Sequence, residues 1–289
     1  MDENNQSDKK NLSVGFCTFE KYEGRKDIGS SRIRAQWLCN YWPDAEIYKQ
    51  GKKYDVIVFQ KSYWVKMAEK FKGIKIFDIC DADFLHWGYH TAEMIENCDA
   101  VVASTKTLAE QFGKFTDKPV VYIPDRIDIK KFIEKKKHVG RAKTAVWFGY
   151  SDNYPLLNSA IVALEKLELN LIVISNGIYN PGSIFTGKCS NVKWDAETIN
   201  SEILKGDIVL NPRIESGRWK FKSNNKTLMS WALGMPVAHD MGELGKFIYE
   251  EERKKDVEAR QKEIREQWDV KISVDEYKWL INYLSNDAK

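Results

Sequence analysis

Residues 207–240 read DIVLNPRIESGRWKFKSNNKTLMSWALGMPVAHD. An apolar run ends at Asn211-Pro212, a polar and basic stretch follows, and Ser223-Asn224-Asn225 stands as a cap before a helical pattern that carries Lys226 in its first turn and stops at Gly234 and Pro236. The unpaired amides of a helix start carry partial positive charge. With Lys222 and Lys226 beside them they suit a phosphate or diphosphate without a glycine-rich loop. A second group lies earlier. Gly29-Ser30-Ser31-Arg32-Ile33-Arg34 follows a polar loop and offers arginines from a capped helix start, to a diphosphate or to an acceptor. Asp78, Asp81 and Asp83 close an apolar run, where carboxylates orient a hydroxyl, form a structural turn or bind a metal; orientation or a turn is favoured. His86, Asp81 and Asp83 are candidate general bases. Arg218-Trp219-Lys220-Phe221-Lys222 alternates cations with aromatics, a pattern that stacks on and neutralises a nucleobase as readily as it covers a surface.

These residues need elements that bring them to common edges. Short apolar runs at residues 14–19, 54–59, 75–79, 100–103 and 120–123 alternate with helical stretches at 30–42, 91–97 and 107–112. Such alternation predicts βαβ units and a mostly parallel, covered sheet. Ser30 or Ser31 is the expected cap of the first helix. After IKKFIEKKKHVGRAK, read as a solvated helix and linker with His138 on its surface, the pattern restarts. Strands are expected at 145–148, 171–174, 207–210 and 236–238, and helices at 156–167, 199–205 and 226–233. Charged helical stretches at 249–267 and 274–284 end the chain. The expected fold class is α/β, two Rossmann-like doubly wound domains facing a cleft. Their boundaries are 13–138, 139–265, and a C-terminal helix, 266–289, packing back toward the first.

Composition excludes several classes. With 289 residues, 43% hydrophobic and 30% charged, the chain is neither a disordered tail nor a disulfide-stapled miniprotein. Five cysteines without CxxC spacing read as buried thiols. No apolar run approaches the roughly 20 residues of a membrane helix, and the polar, acidic start is unlike a signal peptide, so a cytoplasmic protein is expected, with peripheral membrane association open. A net charge of +3 is too small by itself to imply a nucleic-acid partner. GxGxxG, Walker, HExxH and GxSxG patterns are absent from the sequence.

The segment 207–240 resembles the donor-binding region of nucleotide-sugar glycosyltransferases of the GT-B fold, especially the retaining, family-four-like enzymes, down to the ending Ala232-Leu233-Gly234-Met235-Pro236-Val237. Cys98-Asp99-Ala100-Val101-Val102-Ala103-Ser104 with Leu108 is similar to the same family's strand and helix near the end of the first domain. Val121-Tyr122-Ile123-Pro124-Asp125-Arg126-Ile127-Asp128 resembles its crossover, and Val146-Trp147-Phe148-Gly149-Tyr150-Ser151 its second opening strand and glycine turn. Two glutamates usual in the family are replaced by Phe221 and Met229, and Ser151-Asp152-Asn153 stands where an arginine is common.

The resemblance implies transfer of a hexosyl group from a nucleotide-diphosphate sugar, UDP-linked by preference, to a hydroxyl, with retention and with neither metal nor resident cofactor. Lys222, Lys226, Asp81 and His86 would be catalytic. Gly149, Tyr150, Ser151, Asn153, Glu215, Ser223, Asn224, Asn225 and Met229 would line the donor, and Ser31, Arg32, Arg34, Asp83 and Trp219 the acceptor. A glycan or lipid-linked acceptor is favoured, with modified DNA as the alternative. A noncatalytic GT-B-derived protein binding nucleic acid or glycan, and a GT-B sugar epimerase, remain as other readings.

Overall fold

A computed structural model describes residues 12–19 and 28–287. The polar N-terminal segment and the polar loop after the first strand lie outside the described residues. The chain divides into two compact units. One runs to Pro124 and resumes at Ser273; the other is Asp125–Ile272.

The first unit is built on six parallel strands: β1 (Val14–Thr18), β2 (Ala45–Ile47), β3 (Val56–Gln60), β4 (Ile74–Ile79), β5 (Ala100–Ala103) and β6 (Val120–Tyr122), in the order β2-β1-β3-β4-β5-β6. VGFCT and VIVFQ are buried at every position, which is what helices on both faces of a parallel sheet require. The second unit holds β7 (Thr144–Phe148), β8 (Asn170–Ser175), β9 (Cys189–Lys193), β10 (Ile208–Leu210) and β11 (Val237–Ala238), again all parallel, in the order β11-β10-β7-β8-β9. The fold is therefore α/β with two Rossmann-like sheets. Edge strands β2 and β9 were not legible in the sequence: AEI is short and CSNVK is mostly polar, as suits strands with one side unpaired.

Each order reverses once, between β1 and β3 in the first sheet and between β7 and β10 in the second. At a reversal the loops leaving adjacent strands turn to opposite faces, opening a crevice at their carboxyl ends. Phe19 and Lys61 follow the strands of the first crevice; Gly149 and Asn211 follow those of the second.

Three local expectations change. The first helical run, Gly29–Cys39, has Ile28 as its N-cap; Ser31 is buried inside it and donates to Gln60 Oε1 at 3.2 Å, and a π-helical stretch occupies Arg32–Gln36. The helix expected over 156–167 is two, Tyr154–Asn158 and Ile161–Lys166; between them Ser159 Oγ donates back to Leu156 O at 2.7 Å, a local bond that competes with helix continuation. The lysine-rich stretch is mostly exposed, as expected, but it is helical only at the short turn Ile129–Lys131, and several of its side chains are tied down. Lys136 donates to Leu204 O at 3.1 Å and pairs with Asp207 at 3.3 Å. His138 is buried, not surface: its Nε2 meets Gly234 O at 2.8 Å and its Nδ1 accepts from Arg253 Nε at 3.2 Å. Backbone carbonyls of Gly140, Phe247 and Ile248 satisfy the rest of the Arg253 guanidinium, so the stretch is bound into the second unit.

Candidate functional site

In the second crevice, β7 carries Trp147 and Phe148 to the sheet's edge and ends at Gly149, whose amide bonds Ile174 O at 3.0 Å. A Cβ at Gly149 would collide with the amine of Lys226, so glycine permits that approach. The following chain makes only a short 3-10 turn, Ser151–Asn153, before the five-residue helix; Ser151 N–H is held by Asn176 Oδ1 at 2.9 Å. A broken helix this short has little dipole to offer an anion. The turn after Ser151 therefore has little to offer a diphosphate.

Beyond β10, Arg213 turns its guanidinium back onto its own loop, donating to Lys222 O and Ser223 O, both at 3.1 Å. Phe221 is buried beneath a 3-10 turn, Gly217–Phe221, and Arg218 stacks 4.3 Å from the Trp219 ring while donating to Asp152 O at 3.1 Å. These contacts shape the basic aromatic loop over the turn that follows Gly149. Helix Asn225–Ala232 then begins. Asn224 is its N-cap, without a capping bond from its own side chain, which leaves the first-turn amides for another acceptor.

Lys226 is not the exposed lysine the sequence suggested. Its Nζ lies 4.7 Å from the Trp147 ring centroid and 6.0 Å from that of Phe148, on an aromatic floor. Burial, reinforced by the Lys222 and Arg213 cations, lowers its pKa to about 7. Among the described residues no carboxylate pairs with it. Among the described residues the crevice therefore sets two further cations, Lys222 and Arg213, beside a desolvated amine that no carboxylate pairs. Glu215 is exposed in the loop, and Met229 is core, at 6% exposure, where the family resemblance would place a ribose-binding carboxylate. Tyr150 is exposed, Asn153 partly so, and Trp219 lies in the basic loop of the second unit.

One network at this crevice was missed from sequence. Asn211 Nδ2 donates to Thr227 Oγ1 at 3.0 Å, and that hydroxyl lies 3.1 Å from His239 Nε2. Glu243 Oε2 only accepts and lies 3.0 Å from Nδ1, so that nitrogen carries a proton, and in the neutral imidazole Nε2 then accepts from Thr227. The chain ties the ends of β10 and β11 to the first turn of the Lys226 helix. Its only sequence signal is the His239-Glu243 spacing of four after a short apolar strand.

The first crevice is acidic. Lys61, whose backbone holds φ of 49°, pairs with Asp81 at 2.7 Å and Asp83 at 3.6 Å, and Tyr63 donates to Asp83 at 3.1 Å. Burial raises the Asp83 pKa against the attraction of Lys61. His86 is exposed nearby in sequence, on the helix Phe84–Asn97, and Arg32 is partly exposed with its guanidinium 6.0 Å from the Trp37 ring. Arg34 departs from expectation. It is buried, donating through Nε to Asp78 Oδ1 and Oδ2 at 2.8 and 3.0 Å and through Nη1 to Ile123 O at 3.0 Å, while Tyr277 donates to Asp78 at 2.6 Å. Asp78 thus serves packing, and Asp78, Asp81 and Asp83 do not converge. Among the described residues no group of three or more His, Cys, Asp or Glu could hold a metal ion, and no helix is long and apolar enough to cross a membrane.

No protein-family model matches the chain, and no curated protein does. Solved structures do. HepE of Anabaena, in complex with UDP, matches with a TM-score of 0.64 and 11% identity over 94% of this chain and 100% of its own. BGT of phage T4, in complex with its UDP-glucose substrate, matches with a TM-score of 0.62 and 12% identity over 93% and 99%. TarM of S. aureus, in complex with UDP among other ligands, matches with a TM-score of 0.59 and 12% identity over 83% of this chain, which spans only 55% of TarM. Likeness at these identities concerns architecture, and the architecture is that of the GT-B fold.

Proposed function

We propose that this protein is a glycosyltransferase that moves a hexosyl group from a UDP-sugar to a hydroxyl acceptor. The observation that carries the reading is the second crevice: Lys226, Lys222 and Arg213 converge beside an uncapped helix start, at the sheet reversal, with no carboxylate on the lysine amine. Such a site is built for a group with two negative charges. It stabilises the nucleoside diphosphate as it departs, where charge grows most, and a preorganised donor of this kind contributes about 2 to 4 kcal/mol to the transition state. UDP and UDP-glucose in the structures of HepE and BGT support a uridine nucleotide as donor.

The first unit is proposed to hold the acceptor, through Asp81, Asp83 and the exposed side chains of the helix that follows. Carboxylates there accept hydrogen bonds from sugar hydroxyls and repel phosphates, which favours a glycan or lipid-linked acceptor over DNA. Retention follows the family resemblance of the sequence motifs. Inversion is the second reading, favoured by Asp83: a carboxyl whose pKa burial has raised is suited to take a proton from an attacking hydroxyl. A cytoplasmic location is part of the same proposal.

Incubation with a panel of nucleotide sugars and a mixture of glycan, lipid-linked and DNA acceptors, reading nucleotide release, tests the function. Proton NMR of the anomeric centre in the product separates retention from inversion. Failure of every UDP-sugar to bind or turn over would overturn the reading.

A further inference from the structure

The Lys226 amine is held in a balance. The faces of Trp147 and Phe148 favour an ammonium, whereas the loss of hydration and the two cations facing it, Lys222 from the loop before its helix and Arg213 from the end of β10, oppose one. Strand β7 brings only uncharged groups, Trp147, Phe148 and Gly149, and the carboxylate of Glu215 acts on Arg213. Adding a diphosphate brings to the Lys226 amine the counter-charge that no carboxylate among the described residues supplies.

Resting on the donor reading above, we propose that Lys226 takes up a proton as the donor's diphosphate binds and returns it to solvent when the nucleotide leaves. The empty crevice then holds Lys222, Arg213 and an amine only partly protonated near neutral pH, and the filled one holds three cations. Proton and anion enter together, so the ammonium forms along with its counter-charge.

The sign of the proton change identifies the group. A terminal phosphate ionises near pH 6 and sheds protons when cations surround it, so any contribution from the ligand is release. Lys226 gives uptake. Because the free amine titrates near neutrality, wild-type affinity for UDP should fall about 50-fold between roughly pH 7 and 9, following the protonated fraction of the empty site.

Calorimetric titration of the intact protein with UDP, in buffers of differing ionisation enthalpy, measures protons exchanged per ligand. Uptake approaching one proton near pH 8.5 and falling away toward pH 6, where release from the terminal phosphate of UDP overtakes it, is expected. Lys226→Arg, whose guanidinium stays charged, should bind with no proton uptake and a flat pH profile, and Lys226→Met should lose binding. Should either variant fail to fold by circular dichroism, the wild-type buffer series alone decides. Binding of UDP without uptake overturns this inference and leaves the donor reading standing. Inorganic pyrophosphate, titrated in parallel, separates the two the other way: uptake with pyrophosphate but no affinity for UDP removes the nucleotide and keeps the proton, and no binding of either removes both.

Discussion

Replacing Arg34 by methionine distinguishes a site arginine from a packing one. The Arg34 and Asp78 side chains are 3% and 0% exposed, and Nε contacts both carboxylate oxygens. Removing the guanidinium takes its cation from the Asp78 carboxylate in the core of the first unit, where Tyr277 still donates to it, and breaking one side of such a buried pair costs about 3 to 5 kcal/mol. Tyr277→Phe removes the 2.6 Å hydrogen bond to Asp78, and the hydroxyl's contact with Arg34, at nearly unchanged volume, a loss of about 1.5 to 3 kcal/mol. Arg34→Met with Asp78→Asn should recover part of the larger loss, because no orphan charge remains. Urea denaturation reads these costs: at a slope of about 2 kcal/mol per molar, 3 kcal/mol moves the midpoint by roughly 1.5 M. Hydrogen exchange should locate the weakening in the helical run Gly29–Cys39, β4 and the helix Val270–Asp287, the elements that the cluster joins. Turnover per folded molecule should be little changed. A midpoint that stays put while turnover collapses would refute the argument and return Arg34 to the substrate.

Lys222→Ala and Lys226→Ala should each lower kcat/KM for the UDP-sugar by about 2 to 4 kcal/mol, roughly thirty- to thousand-fold, with circular dichroism unchanged; near wild-type turnover in both would place the diphosphate elsewhere. Gly149→Ala should weaken UDP binding with little effect on the β7 sheet pairing, because the new methyl meets the Lys226 amine; unchanged affinity would show that the amine is not needed where it sits. Burial lowers the pKa of His138, so the unfolded chain binds more protons than the folded one as pH drops below about 6.5; its contribution is fully present above that value and is lost toward acid, and thermal scans of wild type and His138→Gln should converge in the acid range. Turnover is expected to survive EDTA, since lysines and amides are proposed to neutralise the leaving group; loss with rescue by manganese would contradict this.

Much of the candidate site on the second unit was legible because its parts are close in sequence. The Asn211-Pro212 strand end, the basic loop, Lys226 and the Gly234-Pro236 stop fall within 26 residues, and local propensities and caps operate at that range. The inner strands of both sheets were equally open to reading, whereas the edge strands β2 and β9 were not. Parallel strands buried on two faces must be largely apolar, as VIVF and AVWF are, whatever the rest of the chain does.

What lay beyond the sequence were partners distant along the chain. Arg34 finds Asp78, 44 residues away, and Asp78 finds Tyr277, a further 199 away, and those pairings bury an arginine expected to face a ligand. His138 sat among lysines and read as solvated until Gly234 and Arg253 closed over it. Lys226 looks like any lysine at a helix start; only the arrival of Trp147 and Phe148 from β7 removes its water and brings its proton near release at neutral pH. Composition and spacing dictate which elements form, since those depend on neighbours within a few turns. The ionisation and exposure of a charged group depend on what the fold packs against it, and that is decided only when distant segments meet.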